Sequence, residues 1–308
     1  MAKTLAGKAL RALLVVFGSS VLVFVIMYLL PGDPVDAIID PSTASPELVA
    51  NLRHQLGIDQ PLYRQLADYF GKLLRGDFGK SLLNSEPVLP KIVANFPATL
   101  VLAAASTAVS VAVGVLLGVL SAIHRNKPID IVARLVGLLG ISMPTFWTGI
   151  LLLLVFSIHL GWLPAMGSDG WRTLVLPAAT LGLIGAGFIV CMVRNSMLEV
   201  VSEPFIVTLR SKGLSERSVM YRHALRNALI PAVTMIGMLA GEMLAGAVVI
   251  ETVFSRQGIG RIMADAILAK DLPIVQGVIF FSAIIYAMVN LLVDISYSFI
   301  DPRVRRSV

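Results

Sequence analysis

Read for its alternation of apolar and polar positions, the chain resolves into long apolar runs separated by short polar joints. Charge-free stretches cover 12–32, 92–123, 135–158, 173–193 and 272–293, and a sixth, 227–250, is interrupted only by Glu242. A helix needs about 20 apolar residues to cross the hydrocarbon core of a bilayer, so the pattern predicts six crossings. An even number places both termini on one side. Between the first two runs the period changes character: Leu48, Leu52 and Leu56, then Leu62, Leu66, Tyr69 and Leu73, recur at helical spacing among charged residues. That spacing predicts small amphipathic helices packed on a membrane face rather than through it.

Composition sharpens this picture. Of the 308 residues, 56% are hydrophobic and 14% charged, with a mean hydropathy of +0.84; a soluble domain carries roughly 25% charged residues. The chain is therefore expected to be an all-α membrane protein whose surroundings are lipid, with no nucleic-acid partner. A single cysteine, Cys191, excludes an intrachain disulfide or a cysteine-based metal site, and its place in an apolar run predicts a small buried hydrophobe. Lys3, Lys8 and Arg11 ahead of the first run imitate a signal peptide. The run is longer than the roughly 7–15 residue core of such peptides and lacks a small-x-small cleavage site, so an uncleaved first crossing is expected.

Charge then orients the bundle. The side holding the termini, the 125–134 joint and the joint before the fifth run carries 15 basic and 5 acidic residues; the opposite side carries 10 and 11. Positive charge marks the cytoplasmic side, so the termini are expected there. The expected organisation is a tail and first crossing at 1–32, an extracytoplasmic helical region at 33–95, and a five-helix core at 96–308 with a cytoplasmic segment at 199–226.

Some motifs carry no chemistry. "GKS" at Gly79–Ser81 resembles the end of a phosphate-binding loop, but that motif requires glycine at position 74, which is Leu74. No nucleotide site of the chain's own is expected. Gly114/Gly118 and Gly237/Gly241 are GxxxG pairs, which let helices approach closely in lipid. No metal cluster or nucleophile–base pair occurs in the runs, which disfavours a membrane-embedded enzyme.

The polar joint "EPFIVTLRSKGLSERSVMYRHALRNALIP", Glu203 to Pro231, is the departure from this pattern. Ser202 or Glu203 can cap a helix whose first turn takes Pro204. Phe205 and Leu209 share a face at i, i+4 with Ile206 beside them. Gly213 suits the position that ends a helix with positive φ. Ser215 can cap a second helix that leads through Val219, Met220, His223 and Leu225 into the fifth crossing. Phe205, Ile206 and Leu209 are expected to present apolar surface to the cytosol, and such a surface calls for a partner.

The stretch "LRSKGLSERSVMYRHALRNALIP" resembles the cytoplasmic loop of binding-protein-dependent ABC transporter permeases, in the dipeptide/oligopeptide branch. "YLLPGDPVD" (28–36), "LLRGDFGKSL" (73–82), "SMPTFWTGILLLLVF" (142–156), "GAVVIETVFSRQGIG" (246–260) and "DISYSFIDPRVR" (294–305) resemble the same branch in the same order. The resemblance implies a type I importer permease of the bacterial cytoplasmic membrane, with the long outer loop of the B-type subunit. It implies pairing with a homologous second permease, delivery of substrate by an extracytoplasmic binding protein, and cytoplasmic ATPase subunits that bind ATP and Mg, leaving no cofactor in this chain. The coupling segment would comprise Phe205, Ile206, Thr208, Leu209, Arg210, Ser211, Lys212, Gly213, Leu214, Ser215, Glu216 and Arg217, seated in an ATPase groove. Leu209 stands where the family usually has alanine, and Arg226 where the general motif has proline.

Ionisable residues in crossings are costly and mark function. At 1.5 Å per residue Glu242 lies about 20 Å from the inner end of its helix. Two roles stand open for it: facing the pathway, where it would meet a peptide amino terminus, or pairing with a neighbouring subunit. Glu251 and Phe254 fall in the stretch resembling the family's outer gate, with Glu251 expected to anchor it. Asp294 is expected to pair with Arg303 or another inner-edge cation. Met143 and Pro144 predict a kink in the third crossing, because proline removes a backbone hydrogen bond, either lining the pathway or only improving packing. The implied substrate is a di- or oligopeptide, with glutathione or a nickel complex as alternatives. A proton-coupled carrier using Glu242 and Asp294 is the competing class.

Overall fold

The computed structural model describes residues 2–29, 35, 39 and 45–300, excluding the side chains of 2–6, 8, 9, 27, 55, 56 and 294–300. Most of "YLLPGDPVD", the Asp294 side chain and the basic tail from Arg303 lie outside the described residues. Among those described, the elements are helical: α1 (Ala2–Leu29), α2 (Pro46–Leu56), α3 (Leu62–Leu74), α4 (Val88–Ile123), α5 (Pro128–Ser142), α6 (Thr145–Leu152), α7 (Arg172–Val201), α8 (Pro204–Ser211), α9 (Glu216–Ser218), α10 (Leu225–Val253), α11 (Ile259–Leu268) and α12 (Leu272–Ile300). π-Helical turns at Leu153–His159 and Val219–Ala224 extend α6 and join α9 to α10.

Four described helices are long and apolar enough to cross a membrane: α4, α7, the continuous Glu216–Val253 and α12. A fifth follows if α5 and α6 form one span, and Leu10–Ile26 within α1 is a shorter apolar stretch. The third apolar run is thus not one kinked helix. α5 and Thr145–His159 meet at 115°. Met143 is extended (φ −85°, ψ 134°) because the ring of Pro144 disfavours helical geometry in the residue before it.

The chain divides into two compact units, residues 1–97 with 257–288, and 98–256 with 289–308. In the first, α2 and α3 appear at the apolar spacing read from the sequence. Ser45 caps α2 by accepting from the Leu48 N–H at 3.3 Å. Phe17 stacks on Phe70 and Phe24 on Tyr69, with centroids 4.9 and 5.7 Å apart, so α3 lays its aromatic face on α1. A core of Val88, Ile92, Ile259, Ala266, Ile274, Val275 and Val278 joins the start of α4 to α11 and α12.

In the second unit α7 is the central helix, packing on α5, α6 and α10. Its approach to neighbours is set by glycine. A Cβ at Gly114 would stand 2.6 Å from Ile189 Cβ, and one at Gly118 2.8 Å from Val193 Cβ. The first GxxxG pair therefore lies in the α4–α7 contact, as its spacing predicts. In the second pair Gly241 is buried and Gly237 half-buried. Cys191, expected to be buried, is exposed: it sits on a face of α7 that none of the described residues covers.

Candidate functional site

The joint between α7 and α10 is built by local rules. Glu203, extended at φ −71° and ψ 145°, takes the N-cap position with Pro204 behind it, without a side-chain capping bond. The C-terminus of α8 closes on itself: the Gly213 N–H donates to the Arg210 carbonyl at 2.9 Å and the Leu214 N–H to the Leu209 carbonyl at 3.3 Å. This pair of bonds is a Schellman motif, and it needs a residue that accepts positive φ at the turn; Gly213 has φ +80°. Ser215 then caps α9, its hydroxyl oxygen accepting from the Ser218 N–H at 3.4 Å.

The two faces of α8 differ from the expectation. Ile206 is fully buried, and Leu209 and Leu214 pack half-buried on the same core, which also contains Met197, Val219 and Ala224. Inward burial of Ile206 and Leu209 follows from their i, i+3 spacing, which places them on one side of a short helix. Only Phe205, 40% exposed, and Val207 remain as apolar groups turned outward. They share the exposed surface with Thr208, Arg210, Ser211, Lys212, Gly213, Ser215, Glu216 and Arg217. Arg210 donates to both carboxylate oxygens of Glu216, at 3.0 and 2.6 Å, and ties the end of α8 to the start of α9. The Glu216 carboxylate holds the Arg210 guanidinium above its ordinary value. Being exposed, the pair contributes little stability, but its fork geometry fixes the turn.

Because no atom would crowd a Cβ at Gly213, the cost of substitution there is conformational. Gly213→Val is expected to disfavour the turn by about 1–2 kcal/mol, while Gly213→Asn, which tolerates positive φ, is largely spared. Thermal melting of the two detergent-solubilised variants should separate them in that order.

A second polar site was missed by sequence reading. Asp130, in the first turn of α5, is fully buried. Arg194 of α7 donates to both of its oxygens, Nε to Oδ1 at 2.8 Å and Nη2 to Oδ2 at 3.0 Å. The Ser121 hydroxyl of α4 donates to Oδ1 at 2.5 Å, the Asn126 N–H to Oδ2 at 2.9 Å, and the half-exposed Arg134 lies 3.4 Å away. Asp130 is the lone carboxylate among Arg125, Lys127 and Arg134. That isolation was the available signal, but it does not reveal a partner 64 positions further on.

At the opposite end of α10, Glu251 is fully buried and accepts from the Thr99 hydroxyl of α4 at 2.6 Å. Phe254, 2% exposed, is positioned against the backbone of α6: a Cβ at Gly149 would come 3.3 Å from its ring. Arg256 is buried, with Nε and Nη1 lacking hydrogen-bond partners among the described residues. Met143 is half-buried at the α5–α6 break, and Pro144 is exposed there. Glu242 is exposed on α10. Glu251 and Phe254 therefore lie together, Met143 and Pro144 lie at a helix break, and Glu242 stands apart from both.

Comparison with known proteins shows the family of the chain. Residues 114–306 match the binding-protein-dependent transport system inner membrane component, and residues 1–103 match the N-terminal model of such membrane components. The chain belongs to the binding-protein-dependent ABC importer permeases. It is 39% identical to the glutathione transport system permease protein GsiC of Escherichia coli K12 over 93% of each chain. It is 41% identical to a putative peptide transport system permease protein of Brucella abortus, over 97% of this chain and 96% of that one. In fold it is similar to the inward-facing MetNI methionine ABC transporter (TM-score 0.61, 18% identity, 70% of this chain and 99% of that one). It is likewise similar to an amino acid ABC transporter solved with histidines (TM-score 0.53, 15% identity, 68% and 94%). The permease is thus a multi-pass protein of the bacterial inner membrane and a subunit of an ABC importer of the peptide branch, whose ATP hydrolysis belongs to partner subunits.

The permease also explains its false phosphate-loop motif. The Gly79 N–H is taken by Asp77 Oδ1 at 2.9 Å and the Ser81 N–H by the Glu86 carbonyl at 2.9 Å. The Ser81 hydroxyl donates to the buried carboxylate of Asp271, whose other oxygen accepts from the Leu82 N–H at 3.2 Å. The loop is a wall bonded to the start of α12. It borders a cavity of about 660 Å³ lined by charged groups of both signs, including Asp68, Lys72, Asp77 and Lys80.

Proposed function

We propose that this permease crosses the membrane six times with both termini in the cytoplasm and forms half of a pathway shared with a homologous second permease. An extracytoplasmic binding protein delivers di- or oligopeptides, and cytoplasmic ATPases drive their import. Glutathione, itself a peptide, is the named cargo of one relative and belongs to the same substrate class; a nickel complex is the remaining alternative. The segment 199–226 is the coupling element. The observation that carries this reading is the division of α8: Ile206, Leu209 and Leu214 anchor it to the bundle, while Phe205, Val207 and Lys212, with Arg210 beside them in its exposed pair with Glu216, are turned outward toward a partner's groove. A capped helix held by its own core behaves as a lever, which a slack loop does not.

In this reading Glu251 and Phe254 form part of the outer gate, with Met143 and Pro144 lining the bend beneath it. Glu242, on the exposed surface of α10, faces the second permease or the path between the two. The region 33–95 is an extracytoplasmic helical region, and 96–308 carries the five-helix core.

Uptake of a radiolabelled peptide into vesicles holding the assembled complex tests the proposal. It should require ATP and the binding protein, and it should persist when an ionophore collapses the proton gradient. Uptake that survives without ATP and disappears with the ionophore would establish the carrier class instead.

A further inference from the structure

The Asp130–Arg194 pair joins three helix ends near α8. Ser121 lies in the last turn of α4, Asp130 in the first of α5, and Arg194 two turns before the end of α7. Only Ser202 and Glu203 separate α7 from α8. Val193 and Met197, on either side of Arg194 in α7, belong with Val119 and Ala122 of α4 and Ile206 of α8 to one continuous buried core. Close-packed interiors transmit displacement rather than absorb it, so a movement of α8 reaches α7 through this cluster. At Arg194 the connection becomes directional. The planar guanidinium holds both carboxylate oxygens, which fixes angle as well as distance, while Ser121 and the Asn126 N–H satisfy the remaining lone pairs. α5, which elsewhere meets α7 through the close approach of Gly137 and Gly140, is locked to it at this point by the ion pair.

We infer that Asp130 and Arg194 are positioning residues of the transport cycle, making the ends of α4, α5 and α7 move with the coupling helix as one body. This rests on the docking role given to α8 above. A lone pair kept for fold stability would show a different behaviour on removal. Deleting one partner strands a buried charge, whereas deleting both leaves none; the double variant D130N/R194Q therefore separates stability from transmission.

The complete complex, with both permeases, the ATPases and the binding protein, is reconstituted in vesicles, and ATP hydrolysis and peptide uptake are measured on the same preparation. D130N/R194Q is expected to assemble and hydrolyse ATP near the wild-type rate. Its uptake per ATP should fall at least about fivefold, the lower end of a typical coupling between sites. Arg194→Lys keeps the charge but loses the two-pronged geometry, and its uptake per ATP should lie between the two. Wild-type uptake per ATP in both variants would overturn the inference, as would a proportional fall of hydrolysis and uptake in both. The docking role is read separately: ATPases retained undiminished by a Phe205→Asp complex would overturn that role, whatever the ratio in the pair variants.

Discussion

Gly140→Ala is expected to lower the melting temperature of the detergent-solubilised permease, and Gly140→Val to prevent its accumulation in the membrane. A Cβ on Gly140 of α5 would stand 2.5 Å from the carbonyl oxygen of Leu183 in α7. The contact is reciprocal, since a Cβ on Gly187 of α7 would stand 2.5 Å from the Gly137 carbonyl and 2.9 Å from Ile141 Cγ1. The nearest obstacle on each side is a backbone oxygen, which cannot rotate away as a side chain does. The helices must separate, at a cost of about 1–3 kcal/mol for overpacking by a single methyl and more for a branched side chain. In lipid nothing offsets that separation, because apolar surface gains no hydrophobic free energy from helix association and the contact depends on close packing. Gly18→Ala is the matched control: nothing lies within 4 Å of its Cβ position, and the variant should melt with the wild type. A Gly140→Val protein as stable as that control would show that α5 and α7 do not meet here.

The second large effect concerns adjacent residues with opposite exposures. Phe205→Asp should insert and fold, since its ring is 40% exposed, whereas Ile206→Asp should not, since Ile206 has no exposure at all. An unpaired carboxylate at the Ile206 position costs several kcal/mol or forces the group to take up a proton. At Phe205 the loss falls on the partner. An aromatic anchor in a protein interface contributes about 2 kcal/mol or more, so ATPase retention should fall roughly 30-fold or further. Size-exclusion profiles of both permeases in detergent, with pull-down of the ATPases, distinguish the two outcomes. If Phe205→Asp binds ATPase as the wild type does, the outward face of α8 is not the docking surface.

Much of the local structure was legible in the residues. α2 and α3 follow the leucine spacing, α8 follows Pro204 and Gly213, and α9 follows Ser215. Each depends on a pattern within a few positions of chain, where helical period and capping chemistry act. The direction in which α8 turns its apolar groups is not written in its residues. Phe205, Ile206 and Leu209 are equally apolar on paper, and a helix of two turns has no periodicity long enough to say which residue meets the bundle. Cys191 was misplaced for a related reason: an apolar environment can be lipid or a partner subunit as well as a core, and hydropathy does not distinguish them. The bend at Pro144 was expected as a kink, yet its 115° angle is set by what α5 and α6 pack against.

That this is a helical membrane protein with a capped polar joint follows from the residues alone, and its motifs in order carried the family. Composition, helical period and turn chemistry are properties of neighbouring residues, so they survive without a fold. Packing in three dimensions was needed to show that Ile206 is buried and Phe205 exposed, that glycines of α5 and α7 meet backbone to backbone, and that Asp130 finds Arg194. Those outcomes depend on which surfaces approach within a few ångströms across tens of residues of chain. A buried carboxylate is satisfied by geometry, and geometry of that range is written in no local pattern.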